Sequence, residues 1–467
     1  MKITPIILCG GQGSRLWPAS RDNMPKHFLR LSSKFSLLQE TIMRFNNDLF
    51  NKPIIISSLN TEFLLREQLR EIDIHDPNLL LEPVQKSTCP AITLGVLYAK
   101  EKYENSSILV ISADLKIENF ENLINDLQNS ENIVQKSFLI FGKKPQFAST
   151  DYGYIKKDKK IRDNFFKVES FKEKPKKDIA IKYLNEDNYL WNLGIFSFSL
   201  DSYLAAMRKY NPEILKICEN SFSVDKNNIK SISKEIYSKS ESISIDYALM
   251  ENVTNIVVCE TNIVWDDLGS WKSLANLSEA SPNQYIEDSE NVFVKSDNNE
   301  NKKYLIKNTS NINIIDDNDL LMIFDNSIAN QELKSFFKNS KSKFPNLHHF
   351  NHIDYRPWGM FKVLVDSELY KIKYIEVLPG KKLSLQKHKH RSEHWTILEG
   401  QPCVTLGSNK FDLNVNDHIF IKAGEVHRIE NATESKVAFI EIQVGTYFGE
   451  DDIERLEDDY GRIEKSI

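Results

Sequence analysis

Apolar residues in the first half of the chain come in short, dense runs. ITPIILCGG (3–11), PIIISS (53–58), SSILVISAD (106–114) and SFLIFG (137–142) are rich in Ile, Leu and Val and bounded by breakers. Between them the spacing lengthens into amphipathic stretches such as SLLQETIMRF (36–45) and TEFLLREQLREI (61–72). The dense runs predict buried strands and the amphipathic stretches predict helices. Strands alternating with helices predict a mostly parallel, Rossmann-like α/β sheet with helices on both faces, continuing to about residue 275.

The texture then changes. Short alternating strands, NVFVKS, KYLIKN, NINIID and LLMIFD, lie between Asn/Asp turns from 282 onward, and no long-period repeat is visible in them. The lysine-rich SFFKNSKSKFPN (335–346) follows and predicts a linker. From Tyr355 the pattern is all-β, as in YKIKYIEVLPG, HWTILEG, HIFIKAGE and VAFIEIQVG, with glycines at 380, 400, 407, 424 and 445 that suit the hairpins of a closed barrel. The acidic GEDDIERLEDDYGR (449–462) predicts a helix or turn. The expected organisation is residues 1–281 as an α/β domain, 282–349 as a β-rich connection and linker, and 350–467 as a β barrel.

A chain of 467 residues is too long for one core, which agrees with that division. A net charge of −6 gives no electrostatic case for nucleic acid or an acidic membrane. Five scattered cysteines without a CxxC argue against a disulfide framework or a structural zinc. No run of eighteen apolar residues occurs and the N-terminal apolar stretch is short, so the expected location is the cytoplasm.

Chemistry concentrates at two places. Residues 9–30 read CGGQGSRLWPASRDNMPKHFLR, directly after an apolar strand. Gly10, Gly11 and Gly13 let backbone N–H groups approach phosphate oxygens, and Arg15 and Lys26 can neutralise a polyphosphate. A Rossmann fingerprint fails, because Leu16 stands where a third glycine is needed, and a P-loop fails for want of Gly-Lys-Ser/Thr. Asp114 closes a predicted strand, at the ligand edge of a parallel sheet. The second place is 380–431, and eight of the ten histidines lie after residue 347. Gln386, His388, Glu393 and His427 can meet only if two antiparallel hairpins face each other across a small barrel. Their nitrogen and oxygen donors suit a borderline divalent ion.

The 9–30 string resembles the signature of nucleoside-diphosphate-sugar pyrophosphorylases, and its Leu-Trp-Pro-x-Ser-Arg resembles the mannose-1-phosphate guanylyltransferase branch. EPVQKSTCPAI (82–92), ISADLKI (111–117), DYGYI (151–155), FKEKP (171–175), WNLGIFSF (191–198) and WDDLGSW (265–271) repeat the resemblance in order. It implies that Gly10, Gly11, Gly13, Ser14, Gln85 and Lys86 bind the nucleotide. It implies that Gly153, Glu173, Lys174 and Asn192 hold the sugar phosphate, and that Asp114 and Asp267 hold Mg2+. Gln85, Lys86 and Ser87 replace the family's Gly, Arg and Asn, and Leu115 replaces a His. Arg15, Lys26, Asp114 and Asp267 are then the catalytic set, and GTP and mannose 1-phosphate the substrates.

From YRPWGMFKVL (355–364) onward the chain resembles the cupin domain of type II phosphomannose isomerases, with Gln386 in place of the usual first His. That implies a divalent ion such as Zn2+, Mn2+, Co2+ or Fe2+ on Gln386, His388, Glu393 and His427. His390, Arg391, His394 and Arg428 are left to bind phosphate or move the proton of mannose 6-phosphate. Both resemblances together imply a bifunctional enzyme. The alternatives are a guanylyltransferase whose barrel is structural or oligomerising, a regulatory protein with an inactive transferase, and a non-enzymatic cupin. The choice of nucleotide, the barrel's metal, the isomerase base and homo-oligomerisation stay open.

Overall fold

The four dense runs are strands, Ile3–Cys9, Ile54–Ser58, Ser107–Ser112 and Phe138–Lys143, and nearly every residue in them is buried. They belong to a computed structural model that describes residues 2–462 except 12, 32, 104–105, 225–229, 278–282, 297–301, 318 and 346–350. The chain divides into two units, Met1–Asp316 with Met322–Ser340, and Asp317–Leu321 with Lys341–Ile467.

The first unit holds a nine-stranded sheet. Its order is Asn78–Glu82, Ile54–Ser58, Ile3–Cys9, Ser107–Ser112, Tyr189–Ser199, Phe138–Lys143, Ile256–Glu260, Phe165–Lys172, Tyr154–Arg162. The first four are parallel, with Ile6 level with Ile54 on one side and Val110 on the other. Tyr189–Ser199 runs antiparallel to both neighbours, so the sheet is mixed. The parallel strands therefore bring Gly10, Glu82 and Asp114 to one edge by their C-terminal ends. The reversed strand brings Asn192 to that edge by its start. Ile6, Ile54, Val110, Ile140 and Phe198 anchor the core beneath. The helix Leu37–Met43 begins where Ser36 and Gln39 form a capping box.

Two features between residues 282 and 349 differ from the sequence expectation. Gln284–Glu287 pairs in parallel with Tyr304–Lys307, and Val292–Ser296 with Ile312–Asp317, each residue level with the one twenty positions on. Asn291 Nδ2 donates to Asn311 Oδ1 at 2.8 Å, and Lys307 Nζ to Glu287 Oε1 at 2.6 Å, so like positions stack. The offset of twenty is an internal structural repeat, whereas the sequence shows no strict long-period repeat, because backbone pairing keeps the register with few identical residues. The stretch read as a linker is instead the helix Asn330–Lys343. Leu333 and Phe337, four apart, are its buried stripe, and the Phe337 ring lies 5.1 Å from that of Trp17. Residues 346–349 of the expected connection lie outside the described residues.

The second unit is antiparallel throughout its named pairings. One sheet runs Ile353–Arg356, Gly359–Asp366, Tyr370–Val377, Val437–Gly445, Arg391–Glu399, His418–Ile421. The other runs Asn409–Asp412, Cys403–Leu406, His427–Asn431, Leu385–His388, Ile453–Glu457. Trp395, Ile397 and Phe439 of one sheet pack with Val404 and Ile429 of the other. The acidic segment expected to be helix or turn is a short 3-10 turn, Glu450–Asp452, followed by the strand Ile453–Glu457. That strand pairs with Leu385–His388, setting Arg455 opposite Gln386. Among the described residues no helix is long and apolar enough to cross a membrane.

Candidate active sites

A cavity of about 440 Å³ opens where the parallel strands end. Gly10, Gly11, Glu82 and Gln85 line one side, Asp151, Tyr152 and Asp267 another, and Gly153, Glu173, Asn192 and Asp246 a third. Gly13 lies outside the lining. It has φ +63°, and a Cβ there would meet Lys26 Cβ at 2.3 Å, so glycine lets the loop cross the lysine. Ser14 begins the turn Ser14–Leu16, and its side chain lies outside the described ones.

Lys26 is buried and ties two distant carboxylate residues together. Its Nζ donates to Asp114 Oδ2 at 2.8 Å and to the Asp267 carbonyl. Burial opposes the charge on Asp114, but Lys26 and then Ser112 outweigh it and hold its carboxyl below the usual range. Arg15 reaches toward Asp151 at 3.8 Å and Asp267 at 3.6 Å. Asp267 also accepts from the Gly269 N–H at 3.0 Å and Tyr152 Oη at 3.3 Å. Asp267 lines the cavity, whereas Asp114 stands outside the lining and is tied to it through Lys26; both are hard oxygen donors, and this chemistry fits Mg2+.

At the opposite wall Glu173 Oε1 pairs with Lys174 Nζ at 2.7 Å. At Gly153 a Cβ would stand 2.5 Å from Glu173 Oε2, so the glycine leaves room for that carboxylate. Asn192 Nδ2 donates to Asp246 Oδ1 at 3.2 Å. Burial and the neighbouring Glu173 push the Asp246 carboxyl up to about 6. Lys86 turns away, its ammonium bonded to the Ser238 carbonyl, and is not in the lining.

Glu82, Tyr152 and Asp246 received no role from the sequence, although Glu82 and Tyr152 sit inside quoted motifs. Glu82 is buried, accepts from Tyr237 Oη at 2.6 Å, and is pushed up to about 7 by burial. The signal for it was its place at the end of a buried strand.

In the barrel, ligand atoms of His388, Glu393 and His427 all lie within 4.8 Å of one another, and all three residues are buried. His388 Nε2 is 3.1 Å from Glu393 Oε1, and His427 Nε2 3.6 Å from Glu393 Oε2. His427 Nδ1 lies 2.9 Å from the Glu425 carbonyl, which fixes it as the donor and leaves a lone pair on Nε2. That Nε2 is buried and has no hydrogen-bond partner. Burial also holds the imidazole below its ordinary pKa. A neutral imidazole with an orphaned nitrogen beside a carboxylate fits a divalent metal. Gln386 is level with His427 and lines the interior, but its Oε1 accepts from Ser384 Oγ at 2.8 Å.

Of the four remaining isomerase candidates, only Arg391 enters this interior. It is buried, donating from Nε to Glu393 Oε1 at 3.1 Å and from Nη1 to the Gly449 carbonyl at 3.2 Å. His394 alternates to the outer face of its strand, where it is exposed and stacks on Phe420 at 4.5 Å. Arg428 faces away from its neighbour His427 in the same manner and pairs with Glu457 at 3.0 Å. His390 is exposed, its ring 6.4 Å from that of Tyr447.

Residues 4–284 match the nucleotidyl transferase family model, and residues 344–458 match the mannose-6-phosphate isomerase C-terminal model. The chain is 36% identical to a mannose-1-phosphate guanylyltransferase of Salmonella muenchen, covering 99% of this chain and 100% of that one. It is 35% identical to one of Klebsiella pneumoniae, over 98% and 100%. A crystal structure of a mannose-1-phosphate geranyltransferase from Thermus thermophilus shares the fold at a TM-score of 0.61 and 24% identity, covering 73% of this chain and 100% of that one. With its glycine loop, its carboxylate-lined cavity and its appended barrel, the chain belongs to the mannose-1-phosphate guanylyltransferase family of nucleotidyltransferases.

Proposed function

We propose that the first cavity transfers GMP from GTP to mannose 1-phosphate, giving GDP-mannose and pyrophosphate. The observation that carries this is one cavity lined by the glycines Gly10 and Gly11, by Asp151 and Asp267, toward which Arg15 reaches, and by Glu173, Asn192 and Asp246. A phosphate oxygen of mannose 1-phosphate attacks the α-phosphorus of GTP. The new P–O bond forms as the α–β bridge breaks, and the electron pair leaves with pyrophosphate. No protein nucleophile is needed, so the work is alignment and charge stabilisation. Asp114 and Asp267 would hold Mg2+, which supplies positive charge to the polyphosphate when bound. Arg15 and Lys26 add two cations, and Lys174 faces the sugar's phosphate. The test is pyrophosphate release from mannose 1-phosphate, Mg2+ and each NTP in turn. GTP should be preferred, and Arg15→Ala should lower turnover about a hundredfold. Full activity in EDTA would remove the metal role.

In the barrel the same reading is isomerisation of mannose 6-phosphate and fructose 6-phosphate. His388, Glu393 and His427, with Gln386, would hold a Zn2+, Mn2+, Co2+ or Fe2+ ion, a Lewis acid for the sugar oxygens. Arg391 fixes the Glu393 carboxylate. His427→Ala should abolish isomerisation and leave guanylyl transfer nearly unchanged. One observation favours a second reading, a barrel kept for structure: Arg391 already compensates Glu393 without a metal. Absence of isomerase activity in the protein reconstituted with each metal decides for that reading.

A further inference from the structure

The barrel's interior gathers five cations, and two of them are held only loosely by its carboxylates. A cavity of about 50 Å³ lies beside Glu393, room for roughly four water-sized groups. Arg356, Lys373, Arg391, Arg455 and Arg462 line it against Glu393, Glu441 and Glu450. Three of the five cations have close partners: Arg391 on Glu393 at 3.1 Å, Arg356 on Asp354 at 2.7 Å, and Arg462 on Asp458 at 2.5 Å.

Lys373 and Arg455 are held more loosely, Lys373 with its ammonium 4.8 Å from the centre of the Phe361 ring. Lys373 is buried, yet its Nζ comes only to 3.5 Å from Glu450 and 3.9 Å from Glu441. Arg455 Nη2 comes only to 3.9 Å from the same Glu450, and its Nε is buried without a partner. Charge-assisted hydrogen bonds are closer than this. Gln443 Oε1, in the same lining, is also buried without a partner. Glu450, half exposed, is the carboxylate both reach: partial burial opposes its charge, but Lys373, Arg356, Arg391 and Arg455 hold it below the usual carboxylate range. A buried orphaned guanidinium N–H is rare without an acceptor to come. Arg356, Phe361, Lys373 and Glu450 also line an open groove of about 660 Å³, so the cavity can be reached from outside.

We infer that Lys373 and Arg455 form an anion-binding pole that takes the phosphate of a sugar phosphate. This rests on the isomerase reading of the barrel. It moves phosphate recognition from His394 and Arg428, which face outward, to two residues on strands that lie in different sheets. The ammonium gives charge and the guanidinium gives direction, and Gln443 Oε1 is left to accept from a sugar hydroxyl.

The probe is inorganic phosphate, titrated calorimetrically into the metal-free full-length chain with GDP-mannose saturating the first cavity. Lys373→Met and Arg455→Met should each weaken binding about tenfold or more while circular dichroism is unchanged. Unchanged affinity in the two folded variants overturns the inference. So does a wild-type chain that neither binds phosphate nor gains thermal stability from it, a result that needs no variant. Binding that is lost in the variants of a chain without isomerase activity upholds the anion pole and removes the isomerase reading instead.

Discussion

Replacing Glu82 by Gln should change how the stability of the first unit depends on pH. Glu82 is 4% exposed at the end of Asn78–Glu82, and burial raises its carboxyl from 4.5 to about 7. The hydrogen bond from Tyr237 acts in the opposite direction and does not overcome burial. Between those two pH values the native state keeps a proton that the unfolded chain has lost. The native state therefore binds more protons, and stability falls as pH rises. At about 1.4 kcal/mol per pH unit, the loss attributable to this residue is about 3 kcal/mol, complete once pH passes the folded value. Gln keeps the volume and an acceptor for Tyr237 but cannot titrate. Urea denaturation of both proteins from about pH 4.5 to about pH 8.5 measures the difference. Wild type should lose stability relative to Glu82→Gln through this window and then run parallel to it. A difference independent of pH would refute the reasoning and mean that Glu82 is solvated through the cavity.

Lys174→Glu should raise the KM for mannose 1-phosphate about tenfold or more and alter that for GTP far less, as steady-state kinetics would show, since a pairing charge becomes a repelling one. Gly153→Ala should act on the same constant, because its Cβ would stand 2.5 Å from Glu173 Oε2 and displace it; an unchanged KM would show that Glu173 does not meet the sugar. A chain ending at residue 345 keeps the helix Asn330–Lys343 and should retain guanylyl transfer in the pyrophosphate assay. Ending it at 329 removes Phe337 from Trp17, next to the glycine loop, and should lower the melting temperature.

Local pattern determined much of this protein. Dense apolar runs named the strands of the first sheet, and alternation named those of the barrel, because side-chain burial along one strand follows from its own residues. The glycine loop, with Arg15 and Lys26, was legible because phosphate approach needs bare backbone and charge. Tertiary structure decided what depends on pairing between distant segments. His394 and Arg428 were counted with the site by proximity in sequence, yet the pleat turns each to the opposite face from Glu393 and His427. Glu82 and Asp246 share a cavity only because the fold sets the helical turn Asp246–Met250 beside the end of the strand Asn78–Glu82. Lys373 and Arg455 meet Glu450 only after the acidic tail adds a strand beside Leu385–His388. A chain's periodicity specifies which face of an element is buried, whereas the partner that covers it is set by long-range contacts that no local pattern contains.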